Sequence, residues 1–473
     1  MSSVHLNVER KPSEQRLATD LYRAVWRWHF YAGLLVLPFL IWLAITGGIY
    51  VFKNQVDDFF HHELKSVTQV SKQALPDGQL AAAALAANPG TLVRYTPPPS
   101  STRSAEALIA TNTGERLSVF IDPYSARVLG ALPDGGSVAW TVRKLHSLKY
   151  FGSVARGVIE IAAGWSILLV LTGIYLWWPR GRSGGVISVR GKPEKRVFWR
   201  DLHAVTGLFV GGILLFLALT GMPWSVFWGA KVNQWANGQN YGYPSGVRVQ
   251  IPMSDAKLSE GDNAAWSLLQ AKVPQSEHEG HEGHDQSSTI AAPLATGGPP
   301  SLTLDQAIAI FKNSGISAGY AVQLPKGSQG VYTASVYPED ISQQRVIHLD
   351  QYIGRPLLDM SFADYGPVAK TLEWGINVHL GQEFGVLNQA LLTAACFGII
   401  LLCVSAAVMW WKRRPSAGLG VPPLPSDRRV LHGVLAMLFL GGVLFPLVGL
   451  SILVMALADR IAFSSSNSQN AKS

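Results

Sequence analysis

Four histidines recur at matching positions in the two halves of the chain, and a neutral imidazole is a common metal ligand. His146 and His379 each open the same pattern, H-x4-F-G-x24-W-W-x-R, with no change in spacing. His29 and His203 open a second pattern, in which a glycine stands four residues later and a Thr-Gly pair 17 residues later. The two patterns predict an internal duplication with a histidine at each equivalent place.

Each of these histidines lies at or near the end of a long apolar run. Crossing about 30 Å of hydrocarbon takes roughly 20 helical residues. A helix suits this environment because all its backbone N–H and C=O groups are hydrogen-bonded within the same segment. Five runs are long enough, near 28–52, 154–178, 204–228, 387–411 and 433–457. The predicted fold is a mainly α membrane protein, a bundle of five transmembrane helices with internal duplication.

Lysine and arginine are concentrated before the first run and in the loops after the second and fourth. The positive-inside rule places these segments on the cytoplasmic side. The net charge of +8 is largely this asymmetry, and no basic-aromatic nucleic-acid module accompanies it. Membrane lipid is therefore an expected partner and nucleic acid is not.

The runs and the charges together predict the following boundaries. Cytoplasmic segments cover 1–25, 179–200 and 412–430; transmembrane helices cover 26–52, 146–178, 201–229, 379–411 and 431–457; outer domains cover 53–145 and 230–378, and an outer tail covers 458–473.

This topology places the histidines at two depths. His29, His203 and His432 fall at cytoplasmic helix ends, and His146 and His379 fall at outer ends. Cofactor sites in bundles are built from side chains on facing helices, as two axial imidazoles on one haem iron require. The pairs His29–His203 and His146–His379 therefore predict two haems, one in each leaflet.

Three further residues are candidates for haem contacts. Arg180 and Arg413 follow the tryptophan pairs; they are interfacial anchors first but could also meet haem propionates. His432 opens a helix that resembles the first and third, although Ala436 replaces the glycine one turn later. It could be an alternative ligand, a propionate partner or an interfacial residue. Gly33 and Gly207, on the histidine face of their helices, would let a flat macrocycle approach.

The cysteines and the His-rich tract are weaker candidates for metal ligands than the four repeated histidines. Cys396 and Cys403 are the two cysteines, and no C-x-x-C motif occurs, so covalent haem attachment and a disulfide framework are not predicted. The His-rich tract 277–285 is interpreted as a flexible insert that could capture divalent metal ions without fixed geometry.

The two outer segments are expected to fold as two small α+β domains. The second shows helical spacing over 304–313 and alternating strands near 319–324, 330–337 and 345–350. Both segments contain a strand followed by Asp-x-Tyr and a turn, around Asp122 and Asp350. His348 lies in such a strand and is expected to be structural.

Several motifs together resemble the PepSY-associated transmembrane family, the iron-regulated inner-membrane proteins. They lie at Trp26–Gly33, Asp201–Gly207, Leu219–Trp224 and Phe362–His379. The resemblance implies a bacterial inner membrane and PepSY-like periplasmic domains. Some relatives are di-haem reductases that release iron from ferric siderophores. Members with four spanning helices also exist, so the fifth helix and the His-rich insert are departures.

The expected function is a haem b-dependent membrane oxidoreductase that passes electrons to a periplasmic acceptor such as a ferric siderophore. The chain has no G-x-G-x-x-G fingerprint opening a βαβ unit, so the donor is a cytoplasmic protein or a membrane quinol. The aromatic residues after the third helix could form an interfacial helix or a ligand platform: Trp224, Trp228, Trp235, Tyr241 and Tyr243.

Two alternatives remain open from the sequence. The outer domains could bind or regulate a partner while the histidines only anchor the helices. The chain could instead be a siderophore or metal permease, although Glu160 is a lone carboxylate in the second helix and ion-coupled carriers commonly use intramembrane acids. Haem content separates the reductase from both alternatives.

Overall fold

The computed structural model describes residues 12–68, 70, 73–180, 184–238, 251–261, 264–276, 301–415, 419–423 and 425–457. The tract 277–285, Tyr241, Tyr243 and the predicted tail 458–473 lie outside the described residues. The chain divides into two compact units. The membrane unit comprises Met1–Gly48, Lys144–Ala230 and Ala390–Ser473, and the sheet unit comprises Ile49–Arg143 and Lys231–Gln389.

The helices, in chain order, are α1 Pro12–Tyr50, α2 Lys53–Phe60, α3 His62–Lys65, α4 Asp77–Ala87, α5 Val138–His146, α6 Gly152–Trp177, α7 Arg196–Gly221, α8 Trp228–Gly238, α9 Leu304–Asn313, α10 Pro367–His379, α11 Gly385–Arg413, α12 Arg428–Leu444 and α13 Pro446–Leu457. The strands are β1 Gly90–Thr96, β2 Ala105–Thr111, β3 Arg116–Ile121, β4 Val128–Pro133, β5 Met253–Lys257, β6 Lys272–Pro274, β7 Ala321–Gln323, β8 Val331–Val336, β9 Arg345–Asp350 and β10 Pro356–Ser361.

Four of the described helical segments are long and apolar enough to cross a membrane: Ala18–Tyr50, Lys149–Trp177, Arg196–Trp224 and Gly385–Arg413. They correspond to the first four predicted helices. Each has 29 residues or more, well above the roughly 20 that a bilayer requires. The chain is a multi-pass membrane protein.

The fifth predicted helix, 431–457, is not a single helix. It is divided at Phe445, whose φ of −121° and ψ of 86° are not helical. Pro446 follows, and a proline both lacks a backbone N–H and disfavours helical geometry in the residue before it. Neither α12, with 17 residues, nor α13 reaches the spanning length alone.

The membrane unit packs around one face of α1. Trp28, Ala32, Val36, Leu40 and Ala44 recur every four residues on that face and are all buried. A spacing of four places side chains on the same side of a helix. These side chains form one core with buried residues of α6, α7, α11, α12 and α13, so α1 packs against the other long helices of the membrane unit.

The prediction of two separate small domains needs correction, because the strands of both outer segments form one sheet. Its eight strands run in the order β10-β9-β8-β7-β1-β2-β3-β4, and β1 pairs antiparallel with β7. Each half is a helix followed by four strands, α4 with β1–β4 and α9 with β7–β10. The predicted helix 304–313 and the three predicted strands of the second half are confirmed.

The predicted Asp-x-Tyr turns are confirmed as equivalent structures in the two halves. Asp122 accepts a hydrogen bond from the backbone N–H of Tyr124 at 2.8 Å, and Asp350 accepts one from Tyr352 at 2.8 Å. Each tyrosine hydroxyl then donates to a backbone carbonyl, of Ser101 or of Ser328, again at 2.8 Å in both. The matching contacts show that the internal duplication extends to the sheet unit.

His348 is a structural residue of the sheet, as predicted. It is fully buried in β9, its Nδ1 lies 2.8 Å from the Thr333 hydroxyl, and its Nε2 has no hydrogen-bond partner. Burial lowers the pKa of His348 from 6.5 to about 4, because the charged imidazolium would lose its hydration.

This burial predicts that the sheet unit loses stability in acid. Below pH 6.5 the unfolded chain binds a proton at His348, whereas the folded chain binds it only near pH 4. The contribution of the neutral His348 to the free energy of unfolding is therefore complete above pH 6.5. It falls by about 3 kcal/mol between pH 6.5 and pH 4, at roughly 1.4 kcal/mol per pKa unit. Thermal melts at pH 7.5 and pH 4.5 should differ less for a Thr333→Val/His348→Leu variant than for wild type. An equal difference would refute the assignment.

Candidate functional site

The two H-x4-F-G patterns have the same backbone structure. His146 is the last residue of α5, and α6 begins at Gly152; His379 is the last residue of α10, and α11 begins at Gly385. Both glycines have positive φ, +85° and +54°, which explains the requirement for glycine. Each histidine therefore ends a separate helix before the spanning helix, whereas the sequence assigned it to the spanning helix itself.

His29 is held between two helices of the membrane unit. Its Nδ1 lies 2.8 Å from the hydroxyl oxygen of Thr172, so α1 and α6 meet at this ring. A methyl group built on Gly173, the next residue, would lie 3.4 Å from His29 Cε1. Glycine at that position lets the ring lie close against α6.

His203 makes the equivalent contact between the other two spanning helices. Its Nδ1 lies 3.0 Å from the Leu402 carbonyl oxygen and 3.3 Å from the Ser405 hydroxyl of α11. Ser405 and Thr172 hold the same place in the repeat, five residues before the first tryptophan. The duplication therefore gives α1 and α7 one similarly held imidazole each.

His146 is held in the same manner by the Thr-Gly pair of α1. Its Nδ1 lies 2.9 Å from the Thr46 hydroxyl, and a methyl group on Gly47 would lie 3.2 Å from its Cε1. Burial lowers the pKa of His146 to about 4, so the ring is neutral at pH 7, as metal ligation requires. The sequence marked Thr46-Gly47 as part of the repeat but did not connect it with His146.

The remaining two candidate histidines differ in their surroundings. His379 is half-buried at the end of α10, in the sheet unit. His432 is exposed on α12. The buried residues of α12 are Val430, Val434, Leu438 and Gly442, which share one face, and His432 is not on that face. His29, His203 and His146 each contact a neighbouring helix through Nδ1, whereas His432 is exposed.

The two repeat arginines both lie beside α1. The Arg413 guanidinium is 4.9 Å from the ring centre of Trp26 and 5.0 Å from that of Phe30, which flank His29 in the helix. Arg180 is 5.5 Å from the ring centre of Tyr22, one turn before Trp26. Two cations thus line the end of α1 that carries His29, where an anionic group of a ligand would be stabilised.

The donor set of the membrane unit fits an axially ligated haem. Nδ1 of His29, His203 and His146 contacts an oxygen, and among the described residues no hydrogen bond to Nε2 of these rings accompanies it. A methyl group on Gly33 would meet nothing within 4 Å, so space is open one turn beyond His29. Among the described residues no group of three or more His, Cys, Asp or Glu could hold a metal ion, and a bis-histidine haem needs only two.

Comparison with known proteins identifies the family of the chain. The model of the PepSY-associated TM region matches residues 26–413, which is most of the chain and includes His29, His203, His146 and His379. The chain belongs to the PepSY-associated transmembrane family. A comparison with curated proteins finds no match. The resemblance stated from the sequence motifs is confirmed at the level of the family.

Glu160, the intramembrane carboxylate of this family member, has a structural role. It is buried, and its two oxygens accept the backbone N–H groups of Phe227 and Trp228 at 2.8 and 3.0 Å. These are orphan donors at the start of α8, which an anion satisfies well. Glu160 is therefore committed to capping a helix, and this weakens the permease hypothesis.

Replacing Glu160 by alanine should destabilise the protein. Two partly buried backbone N–H groups would lose their acceptor, at a cost of about 1 to 3 kcal/mol each. Glu160→Ala should therefore have a lower melting temperature than wild type, and Glu160→Gln, which keeps one acceptor oxygen, should melt between wild type and Glu160→Ala. An unchanged melting temperature of Glu160→Ala would contradict the structural role.

The aromatic stretch after the third spanning helix is divided between packing and exposure. Trp228 packs against Phe445, with ring centres 6.2 Å apart. Trp224 and Trp235 are exposed. The described part of the stretch is thus a helix with one packed tryptophan, which favours the interfacial interpretation over a ligand platform.

Proposed function

We propose that this protein is a di-haem oxidoreductase of the bacterial inner membrane that passes electrons to ferric siderophore iron in the periplasm. The observation that supports this proposal most directly is the repeated histidine contact. His29 and His203 lie on different spanning helices, at equivalent places of a duplication, and each offers an unpartnered Nε2. Ligation of one iron from two helices would need such a pair of available Nε2 atoms, one on each helix.

The four histidines would divide between two haems. His29 and His203 would hold one, with Arg413 and Arg180 available for its propionates. The sequence repeat pairs His146 with His379 as ligands of the other. When bound, haem b supplies one-electron chemistry at a potential set by its axial ligands and burial. Two histidines on each iron leave no open position, which favours electron transfer over oxygen chemistry.

The direction of transfer follows from the charge distribution. The basic segments 179–200 and 412–430 would face the cytoplasm, so the pair His29–His203 would be nearer the donor. A cytoplasmic electron-transfer protein or a membrane quinol would supply electrons, because the chain carries no nucleotide-binding fingerprint of its own. The N-terminus would be cytoplasmic and the sheet unit periplasmic.

Ferric siderophore iron is chemically suited to be the acceptor. Siderophores hold Fe³⁺ with hard oxygen ligands, and such ligands bind Fe²⁺ more weakly. One electron per iron would therefore release the metal without breaking the siderophore. The protein needs only to bring its outer histidine pair within transfer distance of the bound complex.

Reconstituted vesicles provide the test. Full-length protein is inserted into vesicles loaded with dithionite, and a ferric hydroxamate complex is added outside with ferrozine to trap Fe²⁺. The proposal predicts ferrozine absorbance that grows with the amount of protein and is negligible in protein-free vesicles. Equal absorbance in both would overturn the proposal and favour a binding or regulatory role.

A further inference from the structure

The threonine hydroxyls beside His29 and His146 each contact a backbone carbonyl oxygen as well as the histidine ring. Thr172 Oγ1 lies 2.7 Å from the Leu168 carbonyl oxygen as well as 2.8 Å from His29 Nδ1. A hydroxyl has one proton, and a carbonyl oxygen can only accept. If Thr172 donates to Leu168, its oxygen must accept from His29, and Nδ1 of His29 carries the hydrogen.

The same proton assignment applies to His146. Thr46 Oγ1 lies 2.7 Å from the Trp42 carbonyl oxygen and 2.9 Å from His146 Nδ1. In each case the acceptor carbonyl is four residues earlier in the same helix, which is the usual target of a helical threonine hydroxyl in an apolar setting. Both threonines therefore hold the ring as the Nδ1–H tautomer.

His203 reaches the same tautomer through a backbone group. Its Nδ1 faces the Leu402 carbonyl oxygen at 3.0 Å, and a carbonyl requires a donor. Ser405 also donates to Leu402, at 2.9 Å. The repeat position thus has a hydroxyl in both halves, but in the second half the carbonyl is the nearer acceptor.

We propose that Thr172 and Thr46 are positioning residues, each of which fixes its histidine as the Nδ1–H tautomer and so leaves the Nε2 lone pair free to bind haem iron. This inference rests on the proposed function for the identity of the metal. The glycine after each threonine lets the ring approach, and the hydroxyl sets its tautomer. A hydrogen bond from Nδ1–H to an oxygen also makes Nε2 a stronger electron-pair donor to the iron, which stabilises the ferric state.

The test compares isosteric variants of the full-length protein in nanodiscs. Thr172→Val removes the hydroxyl and keeps the shape; Thr172→Ser restores the hydroxyl. Ser166→Ala is the matched control, because Ser166 in the same helix donates to the Ala162 carbonyl at 2.6 Å and contacts no histidine. Haem transfer to apomyoglobin and the midpoint potential of each haem are measured.

Thr172→Val is expected to release one haem about 10- to 100-fold faster, as loss of such a partner typically does, and to raise its midpoint potential. The other haem, Thr172→Ser and Ser166→Ala should remain close to wild type. If Thr172→Val matches Ser166→Ala in both measurements, Thr172 only supports its own helix and the proposal is overturned.

A second arm separates this inference from the proposed function. Haem-free protein labelled with ¹⁵N histidine reports the tautomer of each ring, and the His29 signals are identified by their loss in His29→Ala. The Nδ1–H form is expected in wild type, with a shift toward Nε2–H in Thr172→Val. Nε2–H in wild type would overturn the inference even if haem binds, whereas Nδ1–H in a protein that binds no haem would sink the proposed function alone.

Discussion

The proposed pairing predicts that replacing His29 or His203 with alanine removes one of two haems and leaves the other. Each ring is held from a different spanning helix, with Nδ1 engaged and Nε2 available. Either variant would retain only one of the two imidazoles proposed to hold that haem, so the affinity of this site for haem is expected to fall. The purified variants should contain about half the haem of wild type, as one of two bis-histidine sites is lost, measured as pyridine haemochrome per chain.

Two variants control for general damage to the fold. His432→Ala changes an exposed residue on the other side of α12 from its packed face and should keep both haems. His348→Gln changes a buried histidine of the sheet unit and should also keep both. If His29→Ala and His203→Ala lose both haems, or neither, the assignment of a separate site to this pair is wrong.

Replacing His146 with alanine should abolish electron transfer to an external acceptor while the protein stays reducible from inside. The repeat assigns His146 and His379 to the outer site, so either variant would interrupt the pathway after the first haem. In vesicles loaded with dithionite, the remaining haem should show a reduced spectrum. Reduction of an impermeant external ferric complex should fall to the rate of protein-free vesicles.

Trp224→Phe is a control for this prediction. It alters an exposed aromatic residue that is not a proposed ligand, and it should leave the transfer rate unchanged. Full external reduction by His146→Ala would mean that the outer pair is not on the pathway. A loss of internal haem reduction in the same variant would mean that the two histidine pairs do not form separate sites.

Much of the membrane architecture is predictable from the sequence because hydrocarbon imposes simple rules. Length of an apolar run decides whether a helix spans, and the first four runs became spanning helices. The fifth run is apolar too, but its helix is divided at Phe445, just before Pro446. A proline alone does not decide such a break, because α1 continues through Pro38, so neither hydropathy nor the proline predicts it from the sequence.

The single sheet could not be predicted, since its central pairing is non-local. Alternation predicts the strand before Asp122 and three strands of the second half, and these four agree with the structure. Nothing in Arg94 or Tyr95 indicates that β1 pairs with Gln323 and Val322, more than 200 residues later. Two repeated segments can form two domains or one symmetric sheet with the same local signals.

The sequence points to the candidate histidines but not to their contacts. Regular spacing singled out His29, His203, His146 and His379 as candidate ligands, because they recur at equivalent places of the duplication. The contacts of Thr172 and Ser405 were hidden, because hydroxyl residues are common in spanning helices and most only bond to their own backbone. Their equivalence becomes informative once His29 and His203 are seen against them.

Quantified visible spectroscopy of the purified full-length protein tests the central claim most directly. Oxidised and dithionite-reduced spectra are recorded, and pyridine haemochrome is measured per chain. Two bis-histidine sites predict sharp reduced b-type bands at about two haems per chain. A colourless protein that also fails to take up added haemin would contradict the account, and the four histidines would then be anchors of a membrane protein with a binding role.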